Sequence, residues 1–286
     1  MKNALEVRNI CKRYKDFQLK DVSFSLPPSS ITGLIGINGA GKTTTIRLIL
    51  NLIHADAGAV TVCGYNMQHE EEAAKECMGV VLDDGGLYGN LTLRENKGII
   101  ASAYESWDDQ QYKQLIRRFK LQENQKSAAL SRGMRIKASL ILAMSHHAKL
   151  LIMDEPTGGL DPLVREQLLM MLQEYVDREK ASVLFSTHIT TDLDKVADRI
   201  IFLHQGRVIM DDFKDTIIRS HVVLSGPKEK LSAINKKAFI SIEISGNVFH
   251  AVARREDLNR QLQSIVTKTP VMEDIMLAYI SGGSYE

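Results

Sequence analysis

The stretch Ile31-Thr32-Gly33-Leu34-Ile35-Gly36-Ile37-Asn38-Gly39-Ala40-Gly41-Lys42-Thr43-Thr44 decides how the chain is read. It opens with a short apolar run of the kind a buried strand needs, and from Gly36 the pattern GxxxxGK[ST] follows without a break. Glycines are required because the backbone must curl until successive N–H groups point at phosphate oxygens, with no Cβ in the way. Asn38, Gly39, Ala40, Gly41, Lys42, Thr43 and Thr44 are therefore the expected phosphate-binding residues. Lys42 brings a mobile cation, the Thr43 hydroxyl is placed to ligate Mg²⁺, and the helix expected from Lys42 onward, with Ile46, Ile49, Leu50 and Ile53 on one face, offers its positive end. Chance produces the pattern in roughly 1% of chains this long. Its place between an apolar strand and a helix makes nucleotide binding the expectation.

Upstream, Leu5 and Val7, then Val22, Phe24 and Leu26, alternate as strand residues do, and Pro27-Pro28-Ser29-Ser30 breaks the chain. Downstream, residues 90–147 carry a helical period, with Leu115, Ile116 and Phe119 on one face and Ile136, Leu140, Ala143 and Met144 on another. This segment reads as a helical insert. Leu150-Leu151-Ile152-Met153 and Ser182-Val183-Leu184-Phe185-Ser186 are short apolar runs flanking a helix that starts at Asp161-Pro162. Strand, crossover helix and strand make a βαβ unit, so an α/β fold with parallel strands is expected. Residues 200–209 read as a hairpin turning near Gln205-Gly206. From 220 to 286 the texture changes: Ile240, Ile242 and Ile244 alternate, Gly246-Asn247 offers a turn, and 257–265 looks helical. The expected division is 1–219 and a small α+β appendage, 220–286.

Asp154 and Glu155 end the run at 150–153, with side chains on opposite sides of the strand direction. Asp154 can support Mg²⁺ while Glu155 orients water for attack on a terminal phosphate.

Composition narrows the partners. The 36 Lys+Arg against 35 Asp+Glu give a formal charge of +1, which argues against a nucleic-acid binder. No stretch approaches the about 20 apolar residues that span a bilayer, and the first residues lack the layout of a secretory signal. Cys11, Cys63 and Cys77 show neither CxxC nor a Cys/His metal spacing, so a disulfide framework or zinc site is not expected, and a reducing cytoplasm is.

Leu130-Ser131-Arg132-Gly133-Met134, Gly158-Gly159-Leu160-Asp161 and Thr187-His188, in this order around Asp154 and Glu155, complete a set that resembles the nucleotide-binding subunit of ATP-binding-cassette (ABC) transporters over about residues 4–215. The tail Pro270-Val271-Met272-Glu273-Asp274-Ile275-Met276-Leu277-Ala278-Tyr279 is similar to that of export-type members. The resemblance implies a P-loop NTPase cassette with a mixed sheet, an antiparallel β subdomain and the helical insert. It also implies ATP and Mg²⁺ as ligands, with Tyr14 stacking on adenine and Thr43, Asp154 and the residue at 83 at the metal. Lys42, Glu155 and His188 would be catalytic, His188 meeting the γ-phosphate. Ser131 and Gly133 would meet the nucleotide of a second subunit in a head-to-tail dimer, homomeric or heteromeric, with Asp161 at the seam. A separate integral-membrane subunit would hold the chain at the cytoplasmic face of the membrane.

Three positions depart from the family pattern. Arg132 and Met134 interrupt LSGGQ, and Arg132 either adds a charged contact to nucleotide across the dimer or points to solvent. Asp83 stands where the family carries Gln, so an active site with altered metal coordination or coupling is expected. The alternative functions are a soluble ABC-type ATPase acting on ribosomes or DNA, and a nucleotide-gated binding module with feeble hydrolysis.

Overall fold

The expected N-terminal strands are β1 (Leu5–Arg13) and β2 (Gln18–Leu26) of the computed structural model, which describes residues 2–233, 238–258 and 266–282. After the Pro27-Pro28 break comes β3 (Ile31–Ile35), buried along its whole length. The phosphate loop follows, then α1 (Lys42–Ile49). Asn51, with φ 54°, turns the chain away, so Ile53 lies beyond the helix rather than on its face. The chain continues through β4 (Ala57–Val62), β5 (Tyr65–Asn66), α2 (Glu71–Glu76) and β6 (Met78–Val81).

The helical segment holds α3 (Leu93–Ala101), α4 (Asp109–Arg118) and α5 (Arg132–Met144). Each start is chemically marked. Thr92 and Glu95 form a capping box at α3, Asp108 takes the N–H groups of Gln110 and Gln111 at α4, and Ser131 Oγ accepts from Met134 N at 3.3 Å. Next come β7 (Leu150–Asp154), α6 (Pro162–Glu179), β8 (Ser182–Thr187), α7 (Thr190–Val196), β9 (Arg199–His204) and β10 (Arg207–Phe213). Asp161 caps α6 through Leu163 N and Val164 N, with Pro162 in its first turn.

Two sheets are built from these strands. One is antiparallel, in the order β2-β1-β4-β5. The other has six strands in the order β10-β9-β3-β8-β7-β6, and its β3/β8, β8/β7 and β7/β6 pairs are parallel. Strands in such a sheet are covered on both faces, which is why β3, β7 and β8 read as continuous apolar runs rather than alternating ones. One core cluster joins Leu5 and Val7 of the first sheet, Ile46 and Ile49 of α1, and Leu34 and Ile152 of the second. Each such side chain contributes about 1.5–3 kcal/mol on full burial. This packing holds the start of α1 against the ends of β3 and β7.

The chain divides into two units, Met1–Ile189 with Ile201–Asp211, and Thr190–Ile200 with Asp212–Glu286. The second unit thus begins before position 220, because α7 packs within it against the last helix, named below. It contains α8 (Lys214–Ser220), β11 (His221–Pro227), β12 (Phe239–Ser245), β13 (Val248–Arg254), β14 (Val266–Lys268) and α9 (Met272–Ser281), the helix that meets α7. Its sheet runs β12-β13-β11-β14. The turn at Gly246-Asn247 is present. The alternation of Ile240, Ile242 and Ile244 does not put them on one buried face. A register irregularity between Phe239 and Ser241 sends Ile240 to Val223, Val252 and Ala278, while Ile242 packs with Val222, Leu224 and Phe249 on the opposite side. Ile244 is exposed. Of the expected helix at 257–265, Asp257 closes a short 3₁₀ turn from Arg255, and 259–265 lie outside the described residues.

Candidate active site

The loop after β3 is shaped by what its glycines permit. A Cβ on Gly36 would come within 2.4 Å of Leu203 O, and one on Gly41 within 2.6 Å of Leu19 Cδ2, so both positions need the bare backbone for close approach. Gly39 has open space around it but φ 81°. Ala40 is buried, its N–H bound to Ile37 O at 3.1 Å. α1 then starts from Gly41 with no side-chain cap, leaving the N–H groups of its first turn to an incoming anion.

Lys42 is nearly buried, and its ammonium donates to Gly36 O at 2.7 Å and pairs with Glu155 Oε1 at 3.2 Å. The other oxygen of Glu155 meets His188 Nδ1 at 2.8 Å. Glu155 itself sits at φ 48°, a conformation that costs a non-glycine residue of order 1–3 kcal/mol. Its N–H is held by Ser186 O and Ser186 Oγ, which over-determines the strained position. Ser186 Oγ also donates to Asp154 Oδ1 at 2.6 Å, aligning the buried carboxylate. Ser186 was not singled out from sequence; a hydroxyl two residues before His188 was the available signal.

These groups share a cleft of about 750 Å³ lined by Asn38, Gly39, Gly41, Lys42, Thr43, Thr44, Asp83, Glu155 and His188 among others. A smaller adjoining recess of about 370 Å³ brings Thr43, Asp83 and Asp154 together with Asp84 and Glu155. Hydroxyl and carboxylate oxygens suit Mg²⁺. Among the described residues no three His, Cys, Asp or Glu side chains form a metal cage of their own.

Other expected residues lie elsewhere. Tyr14 is half-exposed in the turn after β1, its N–H on Phe17 O, and it does not line the cleft; Asp16 and Phe17 do. The turn at 14–17 carries Tyr14 outward and brings Phe17 against the phosphate loop. Ser131, Gly133 and Asp161 are also absent from the cleft. Ser131 and Asp161 serve as helix caps, and Gly133 is packed so that a Cβ would lie 2.8 Å from Val164 Cγ1.

Of the two alternatives for Arg132, the one pointing to solvent needs correction, because its side chain turns back into the cleft of its own chain. Its Nε donates to Gly158 O at 2.9 Å and its terminal nitrogen pairs with Asp83. Two of the departures from the family pattern, Arg132 and Asp83, are thus partners. Asp83 lines the smaller recess, but its carboxylate is already engaged by the Arg132 guanidinium, which bears on any direct role in metal coordination.

A family profile described as ABC transporter matches residues 19–158. The "Uncharacterized ABC transporter ATP-binding protein YdbJ" of Bacillus subtilis (strain 168) is 31% identical over 252 residues, covering 85% of this chain and 82% of the relative. The "Nod factor export ATP-binding protein I" of Rhizobium etli is 30% identical, over 96% of this chain and 92% of that protein. A solved "ATP binding subunit of ABC transporter" superposes with a TM-score of 0.69 at 33% identity, covering 76% of this chain and 92% of that one. The chain belongs to the ABC transporter ATP-binding proteins and is an ATPase subunit of that family.

Proposed function

We propose that this subunit hydrolyses ATP with Mg²⁺ to power export through a separate integral-membrane partner, at the cytoplasmic face of the membrane. The observation that carries the reading is the convergence of Lys42, Glu155 and His188 in one cleft beside the uncapped start of α1. Export is supported by relatives that bear it in their names, among them the Nod factor export proteins. No helix among the described residues is long and apolar enough to cross a membrane.

Lys42 exchanges Gly36 O and Glu155 for phosphate oxygens when nucleotide enters, and that exchange releases a carboxylate oxygen of Glu155 to hold the proton of the attacking water. His188 keeps Glu155 oriented through its second oxygen. Thr43 and Asp154 would hold Mg²⁺, with Asp83 beside them; the cation supplies neutralisation of charge developing on the phosphates. Phe17 or Tyr14 would cover the base.

Ser131, Gly133 and Asp161 are assigned to a second ATPase subunit's nucleotide, arranged head to tail, because none of them lines the cleft of its own chain. Two measurements test the reading. Glu155→Gln should retain ATP, lose about 10²–10⁴ in turnover and accumulate a dimer by light scattering; a monomer under these conditions contradicts the shared site. Affinity purification from solubilised membranes should recover an integral-membrane protein. Recovery of ribosomes instead would favour the soluble alternative.

A further inference from the structure

Two side chains that line the nucleotide cleft have cationic heads, Lys42 and Arg132. Lys42 opens α1, whereas Arg132 enters from the first turn of α5. The stem of Arg132 runs beside Gly159, where a Cβ would stand 3.9 Å from Arg132 Cδ and 3.8 Å from Nε. Nε donates to Gly158 O at 2.9 Å, and Nη2 pairs with Asp83 Oδ1. These two anchors fix the plane of the guanidinium. All three guanidinium nitrogens carry N–H donors, and among the described residues Nη1 has no hydrogen-bond acceptor.

Gly158 donates its N–H to Glu155 O at 3.2 Å, so the Gly158 anchor holds the guanidinium in the part of the cleft where Glu155 pairs with Lys42. Alone, Asp83 would set a bare carboxylate in a cleft that receives a polyanion; the pair neutralises it. A guanidinium bonded to one anion keeps its remaining donors aimed in a plane, which suits charge-assisted recognition of phosphate. Reaching a nucleotide on a second chain would require Arg132 to leave both anchors. Meeting one in its own cleft breaks neither, and a donor already held in place costs less to order.

We infer that Arg132 is a nucleotide-binding residue of its own chain, whose Nη1 donates to the terminal phosphate and so favours a nucleoside triphosphate over a diphosphate. The inference rests on the reading of this cleft as the ATP site. Asp83 has a part in it as the group that holds the guanidinium in place, and the two departures from the family pattern then form one device. Lys42 binds the phosphates from the loop and Arg132 meets the last of them from α5.

The test uses the full chain at concentrations where light scattering shows a monomer, so that no second subunit contributes. Calorimetric titrations with a non-hydrolysable ATP analogue and with ADP, each with Mg²⁺, give two dissociation constants. In Arg132→Gln the loss of a hydrogen bond to a charged group should raise the constant for the triphosphate about 10-fold or more and leave that for ADP nearly unchanged. The substitution also unpairs Asp83, so the double variant Asp83→Asn, Arg132→Gln removes the bare carboxylate; the loss for the triphosphate should persist in it. Both side chains are partly exposed, so neither change threatens folding. Wild-type affinity in the double variant, an equal loss for both nucleotides, or a loss that appears only once the chain dimerises would overturn the inference. Lys42→Ala tests the underlying reading separately. If it binds both nucleotides like the wild type, the cleft is not the ATP site; if it binds them poorly while Arg132→Gln is unaffected, only the role of Arg132 falls.

Discussion

Two helix starts in this molecule are expected to face phosphate, and they are built differently. The start of α1 follows a loop whose glycines let the backbone curl, carries no side-chain cap, and has Lys42 folded over it. The start of α5 has spent one of its donors on Ser131 Oγ, hides Gly133 behind Val164, and turns Arg132 away toward Asp83 and Gly158. An anion site made of backbone can be complete within one chain. A capped helix end with a packed glycine offers only a few outward groups, which is what a surface completed by a second chain requires.

The largest effect should come from α1. Lys42→Ala removes a charged donor from a nearly buried position, and hydrogen bonds to charged groups are worth about 1.5–3 kcal/mol, so the Kd for ATP should rise roughly 10- to 150-fold in calorimetric titration. Ser131→Ala, at protein concentrations too low for assembly, should leave that affinity unchanged. Equal losses in both would abolish the distinction between a self-contained and a shared phosphate site.

Gly133→Ala comes next. The added Cβ meets Val164 Cγ1 at 2.8 Å, and overpacking of this kind costs about 1–3 kcal/mol, more than helix propensity returns in a first turn. The melting temperature should fall and recover in the double variant with Val164→Ala. An unchanged melting temperature with lost ATPase would show that the glycine is kept for a partner's phosphate rather than for packing.

How legible each region was follows from distance along the chain. The phosphate loop is contiguous, so its residues and the strand and helix around it could be read directly. The meeting of Lys42, Glu155 and His188 was accessible through the order of motifs at the ends of parallel strands. The Asp83–Arg132 pair joins residues on two segments through the reach of a long side chain, which no local period encodes. Tyr14 and Phe17 differ by the path of one turn, and Ile240 and Ile242 by one bulge; each shifts a side chain to another face without altering the pattern of residue types.

The far end of α5 gives a pH-dependent contrast. His146, just past the helix, stacks on Tyr104 with ring centroids 3.7 Å apart and contacts Met78 O at 3.0 Å. Burial holds its pKa below the ordinary value, so the folded chain binds a proton less readily than the unfolded chain. Its stabilising contribution is therefore complete above about pH 6.5 and declines as the pH falls below it. His146→Gln should flatten the fall of melting temperature between pH 7 and pH 5 relative to wild type. Parallel curves would place the acid sensitivity in carboxylates such as Glu76, whose pKa is held down.

The smallest expected effect belongs to the pair that separates the two helix starts most clearly. Asp83 and Arg132 have side chains 62% and 38% exposed, and ion pairs in such positions contribute about 0.2–1 kcal/mol, less at high salt. A double-mutant cycle with Asp83→Asn and Arg132→Gln, followed by urea unfolding, should give a coupling within that range that shrinks as salt is added. Asp83→Gln supplies the functional half of the test. If Arg132 holds the carboxylate away from the cation, ATPase rate against Mg²⁺ keeps its midpoint on restoring the family's Gln. If the midpoint moves and the coupling is zero, Asp83 is free to serve the metal, and Arg132 is free to reach across to a second chain after all. The start of α5 would then be a phosphate site like the start of α1, built from a guanidinium instead of a backbone loop.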